Sequence, residues 1–196
     1  MPPTSLTPSH EFIPVSCLVL ALVTAFLADR RYLNISVFRL PMRLCTQLIS
    51  DLKTRNLWSI HWIVLFLWGS FVTMLHFGGY EFQWYARFGW WDLMTHFVSG
   101  IGVAGILFVG LRNVVSPQVS LSWMFVAVLS IGAGFEVYEY LFRAFWHSWT
   151  PAYYAQDTAE DLLMACSGAV LIQYSYQTAS MSYSESTMAV TSQSAE

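Results

Sequence analysis

Charge is scarce in this chain. Only 11% of its 196 residues are Asp, Glu, Lys or Arg, about half the share of an ordinary soluble domain. Nine of those residues are basic, with no extended basic face and no zinc-finger spacing, so nucleic acid is excluded as a partner. The three cysteines, Cys17, Cys45 and Cys166, form no CxxC pair and lie in or beside apolar runs. They read as small apolar side chains, not as a disulfide framework. GxSxG, HExxH, P-loop and Rossmann glycine patterns are all missing. Serine-nucleophile, zincin and nucleotide-driven chemistries therefore have no support. No internal repeat is evident either, which argues against a repeat-built alternating-access transporter.

What remains is apolar: 56% of residues are hydrophobic and 17% aromatic. Five runs stand out, over about 12–28, 57–77, 91–111, 121–146 and 158–176. Each is near the ~20 residues that a helix needs to cross the hydrocarbon core. None alternates as a barrel strand would. The expected fold is an all-α polytopic membrane bundle of about five transmembrane helices. It forms one domain over 1–177 in the inner or plasma membrane, with a disordered Ser/Thr-rich cytoplasmic tail over 178–196. Met1 to His10 hold no Lys or Arg, so the first run reads as a retained span, not a signal peptide.

Six of the nine basic residues, Arg30, Arg31, Arg39, Arg43, Lys53 and Arg55, lie between the first two spans. The positive-inside rule makes that segment cytoplasmic, with the N-terminus outside and the C-terminus inside. The Asn34-Ile-Ser36 sequon then escapes glycosylation. Within the same segment, residues 41–53 place Leu44, Leu48, Ile49 and Leu52 at helical spacing after Pro41. An interfacial helix and a plain basic connector both fit.

This topology puts acids from three spans at one depth. Asp92 and His96 fall in the outer half of span three, and Glu136 and Glu139 near the outer end of span four. Asp157, Glu160 and Asp161 fall at the outer start of span five. Spacings of three or four place Asp92 with His96, Glu136 with Glu139, and Asp157 with Asp161 on shared helix faces. A charge at mid-bilayer costs roughly 2.5–3.5 kcal/mol on insertion scales, so three such pairs imply one clustered site. His76 lies at the outer end of span two and is a weaker member. His10 and His61 sit elsewhere, and His147 falls at an outer boundary near the site, where Trp146 and Trp149 beside it suit interfacial anchoring. Gly100, Gly102, Gly105, Ser130, Gly132, Gly134 and Gly168 supply the small surfaces on which membrane helices pack closely.

Three stretches carry a resemblance: Trp91-Asp92-Leu-Met-Thr-His96-Phe, Phe135-Glu136-Val-Tyr-Glu139-Tyr, and Gln156-Asp157-Thr-Ala-Glu-Asp161 running on to Gly168-Ala169. Together they resemble the YjdF-like family of small bacterial inner-membrane proteins over roughly 57–176. More distantly they are similar to the VanZ-like family, with its Asp…His helix, Glu-bearing helix and final Asp…Asp…Gly helix. Ala165 or Cys166 stands where the VanZ-like pattern has a polar residue. The resemblance implies a multi-helix membrane protein and no settled activity.

The residues themselves leave two functional classes. In the first, Asp92, His96, Glu136, Glu139, Asp157 and Asp161 form an outward-facing pocket that binds a cation, a proton or a small polar solute. A divalent metal is the natural neutraliser, because carboxylate oxygen and imidazole nitrogen suit Zn, Mn or Fe. In the second, a metal-assisted enzyme acts on a lipid or cell-envelope headgroup, with metal-bound water as nucleophile. Catalysis would need an open coordination position and a nearby base, and five helices without an internal repeat favour a binding or accessory role. Against both stands a polar plug: Asp92 paired with His96, Arg87 or Arg143 neutralising Glu136 or Glu139, and Asp157 capping span five. The bilayer is the expected partner; a second copy or another membrane protein stays open.

Overall fold

The computed structural model describes residues 8–29, 39–113, 120–142 and 149–193, with side chains for 11–29, 39–113, 122–142 and 149–175. Arg30, Arg31, the Asn34-Ile-Ser36 sequon, Arg143 and His147 lie outside the described residues, as does the side chain of His10. The described chain is helical, with no strand among the described residues. Its elements are α1 (Pro8–Ala28), α2 (Leu40–Thr54), α3 (Leu57–Glu81), α4 (Trp84–Arg87), α5 (Trp91–Leu111), α6 (Ser120–Phe142) and α7 (Pro151–Gln193).

Among the described residues, four helices are long and apolar enough to cross a membrane: Glu11–Ala28, Leu57–Glu81, Trp91–Leu111 and Ser122–Phe142. Their apolar side chains face outward. Phe12, Phe66, Leu67, Met74 and Leu141 are all more than 60% exposed, the pattern of a bundle solvated by lipid. The protein is a polytopic helical membrane protein. α7 carries the fifth apolar run and continues to Gln193, past Thr178 where the sequence reading starts a disordered tail.

Helix boundaries follow local chemistry. α2 ends at Arg55, which adopts the left-handed conformation (φ 47°, ψ 36°), a common helix stop. The next residue, Asn56, opens α3, its side-chain oxygen accepting from the Trp58 N–H at 3.0 Å. α7 begins at Pro151, a residue suited to a first helical turn. The Thr150 hydroxyl accepts from the Tyr153 N–H at 3.2 Å there. That start corrects the sequence reading of Asp157 as a cap. Thr150 does the capping, and Asp157 lies more than a turn inside the helix.

Small residues set the tightest packing. A methyl added at Gly100 would land on the carbonyl oxygen of Ala165, and one added at Gly168 on that of Phe97. α5 and α7 therefore approach backbone to backbone, as glycine allows. α3 packs on the next face of α5, with the Trp68 indole N–H donating to the Val98 carbonyl at 2.9 Å. α1 lies against α6, where the Ser130 hydroxyl donates to the Ala21 carbonyl at 2.8 Å. Gly134, the partner of Ser130 in the small-xxx-small pair, has open space around it. The buried core runs between α5, α6 and α7 through Ala104, Leu107, Trp123, Val128 and Ala169.

Candidate functional site

Antiparallel packing gathers the end of α3, the start of α5, the end of α6 and the start of α7 at one end of the bundle. Asp92 and His96 arise from α5, one turn apart on the face that Gly100 presses against α7. Asp161 meets them from α7. His96 Nε2 lies 3.5 Å from Asp92 Oδ1 and 3.5 Å from Asp161 Oδ2. Glu136 and Glu139 approach from α6. Two groups result, each with its ligand atoms within 4.8 Å of one another: Asp92, His96 and Asp161, and His96, Glu136 and Glu139. His96 belongs to both.

Burial separates these residues. Asp161 is 1% exposed, Glu136 2%, Glu139 7% and His96 8%, whereas the Asp92 side chain keeps 27%. Glu136 Oε2 accepts from the Thr158 hydroxyl of α7 at 3.2 Å. Among the described residues, Glu136 Oε1 and both carboxylate oxygens of Asp161 have no hydrogen-bond partner. Buried polar atoms are nearly always hydrogen-bonded, so each exception needs a reason. Phe135 closes one side, its ring centroid 5.9 Å from His96 and 5.8 Å from His76.

The remaining sequence candidates sit around this cluster. Asp157 is half-buried and lines a cleft of about 780 Å³ with Asp92, Glu139, Tyr80 and Tyr153. Glu160 points outward and accepts from Gln156 at 2.8 Å. His76 shares a 2.9 Å hydrogen bond with the Tyr85 hydroxyl. It lines a second cavity, of about 270 Å³, together with His96. Arg87 lies beside Glu81 at a separate shallow surface. Among the described residues no ion pair joins it to Glu136 or Glu139. His61 is exposed at the opposite end, its Nδ1 3.2 Å from the Leu57 carbonyl oxygen.

That opposite end holds a polar network that the sequence reading missed. Asp51 of α2 is 1% exposed. Arg112 clasps it with two hydrogen bonds, at 2.6 and 2.9 Å. The Trp62 indole N–H at 2.9 Å, Gln47 at 3.1 Å and Asn56 at 3.2 Å complete its donors. Burial alone pushes the Asp51 carboxyl up; the bonds from Arg112, Trp62, Asn56 and Gln47 outweigh it and hold the group well below the usual carboxylate range. The Arg112 guanidinium also stacks 4.4 Å over the Trp58 ring. The available sequence signal was an acid one turn after Gln47 on an otherwise amphipathic helix.

The comparisons with known proteins agree with this architecture and add no activity. No curated protein and no solved structure matches. The YjdF-like resemblance is consistent with the family found; a VanZ-like relationship is not shown. With residues 12–180 matched, the chain belongs to the DUF2238 family of predicted membrane proteins, whose function is unknown.

Proposed function

We propose that the cluster of Asp92, His96, Glu136, Glu139 and Asp161 binds a divalent cation near the extracytoplasmic face of the membrane. The observation that carries this reading is Asp161. A carboxylate 1% exposed, with neither oxygen hydrogen-bonded, is poorly explained by a polar plug. In a plug the buried oxygens would be donated to. A divalent cation would set two positive charges against Asp161 and its neighbouring carboxylates at once.

The spacing also suits an ion. Two ligand atoms each ~2.1 Å from a tetrahedral metal lie about 3.4 Å apart. His96 Nε2 is 3.5 Å from an oxygen of Asp92 and 3.5 Å from one of Asp161. A charge-assisted N–H···O bond would be shorter, at about 2.7–2.9 Å. One imidazole among carboxylates suits Zn, Mn or Fe better than Mg or Ca. Asp92, the most exposed of the first group, gives the site its access from the 780 Å³ cleft. In this reading α7 is the fifth span, over about 158–176, and the basic segment around α2 faces the cytoplasm.

The test is metal content. Wild-type protein purified in detergent without chelator is expected to carry about one transition-metal ion per chain by elemental mass spectrometry. Asp161→Asn and His96→Ala are expected to lose it, and Glu160→Gln to keep it. Wild-type protein free of metal after exposure to Zn, Mn and Fe would overturn the proposal.

A further inference from the structure

The two cavities at this end of the bundle differ in kind, and the candidate cation ligands form their boundary. The 780 Å³ cleft is polar, with Asp92, Glu139, Asp157, Tyr80 and Tyr153 in its walls. The 270 Å³ cavity is a groove over α5 between α3 and α6, walled by Val72, Phe77, Val103, Ile131 and Phe135. Asp92 lines the first and His96 the second, and their side chains are 3.5 Å apart. Tyr85 lines the first and His76 the second, joined by a 2.9 Å hydrogen bond. A ligand occupying both spaces would therefore pass directly over the Asp92–His96 pair.

The groove has the shape and setting of a chain site. Its α5 wall runs from Thr95 to Val103, about 12 Å at the helical rise of ~1.5 Å per residue. Of its polar side chains, Thr95, His96, Ser99 and His76 lie toward the end nearer the cleft; Thr73 sits beside Val72 on the margin, and Val72, Val103 and Val128 wall the other end. Thr73 and Ile131 on its margins are exposed, on helices long and apolar enough to cross a membrane. At that depth the surrounding medium is itself alkyl chain, and only an amphiphile can present a polar head to the cleft from there.

Resting on the cation reading, we infer that the site binds a membrane phospholipid, one acyl chain in the α3–α5–α6 groove and the phosphate on the cation at the Asp92–His96 pair. The cleft wall is acidic, so an anionic head needs the metal as a bridge. A cation bound by carboxylates and one imidazole keeps affinity for phosphate oxygen.

The experiment uses full-length protein in nanodiscs of phosphatidylglycerol, doped with phosphatidylglycerol bearing a diazirine midway along one acyl chain. After photolysis, labelled peptides are mapped by mass spectrometry, and metal content is measured on the same sample. Labelling of the groove segments 72–77, 99–103 and 131–135 is expected to exceed that of the lipid-facing segment around Leu67 by about tenfold. Thr73→Trp, which fills the groove from an exposed position, is expected to abolish the excess while metal is retained; Leu67→Trp leaves the excess in place. Chelation is expected to reduce it. Uniform labelling of all lipid-facing segments, or an excess untouched by Thr73→Trp, would overturn the inference while leaving the metal result to stand alone. An excess unchanged by chelator, in protein whose metal the chelator has removed, would overturn the phosphate-on-cation contact and leave the cation reading to the metal-content test.

Discussion

Arg112→Leu isolates the buried clasp between α2 and the end of α5. The substitution removes two of the hydrogen bonds to Asp51, at 2.6 and 2.9 Å, and the only cation paired with it among the described residues. What stays is a carboxylate 1% exposed, with Trp62, Gln47 and Asn56 still donating. Breaking a buried pair from one side typically costs about 3–5 kcal/mol. The three surviving donors place this case at the lower end, about 3 kcal/mol, or more than a hundredfold in the unfolding constant. The reverse change, Asp51→Leu, is expected to cost less, because the Arg112 side chain is 12% exposed and can turn its head to water. The double variant is expected to cost less than the sum of the two, since an apolar pair of similar volume is often neutral in place of an ion pair. Reversible unfolding in mixed detergent–SDS micelles measures all four corners of the cycle. A cost below about 1 kcal/mol for Arg112→Leu, or strict additivity in the double variant, would refute a desolvated, mutually dependent pair.

Three further outcomes are expected. Saturating the cation site at about 100 times its Kd should stabilise wild-type protein by about 2.7 kcal/mol. For a chain of this size that is roughly 5–10 °C in Tm, and a Tm in Asp161→Asn that still responds to chelator would contradict the ligand set. Gly168→Val should separate α5 from α7, because its side chain would meet the Phe97 carbonyl and the Ile101 N–H; the expected loss is at least about 3 kcal/mol in the same unfolding assay, together with the metal. The clasp should also respond to acid. Asp51 has a depressed folded value, so its stabilisation is complete above the ordinary carboxylate value of 3.8 and is lost as pH falls below it. Wild-type protein should therefore lose stability relative to Asp51→Asn below about pH 4, and parallel pH profiles for the two would contradict the clasp.

Span positions were legible because membrane crossing demands length and apolarity, which are local properties. The expected run at 91–111 coincides with α5, and that at 57–77 starts with α3, which continues to Glu81. The meeting of Asp92, His96, Glu136 and Asp161 was legible for a different reason. Alternating helix direction fixes depth, and a polar residue in hydrocarbon must face a partner. What stayed hidden were pairings with no periodicity. Asp51 and Arg112 are 61 residues apart, and no spacing links an acid in α2 to a base just past α5. Thr158 holds Glu136 across the α6–α7 contact, a pairing set by where α7 begins and not by any spacing within the fifth apolar run. Pro151 preceded by Thr150 marks the true start. The split into a polar cleft and an apolar groove depends on α3 and α6 both packing on α5 with a groove left between them below the His76–Phe135 contact, and no local pattern encodes that.

X-ray absorption at the edge of the bound metal, on full-length protein in nanodiscs, tests the convergence of α5, α6 and α7 on one ion most directly. One imidazole nitrogen and several carboxylate oxygens at about 2.0–2.2 Å are expected, with the imidazole signal lost in His96→Ala. A thiolate shell, an all-water shell, or an imidazole signal unchanged by His96→Ala would place the ion elsewhere and contradict the shared site.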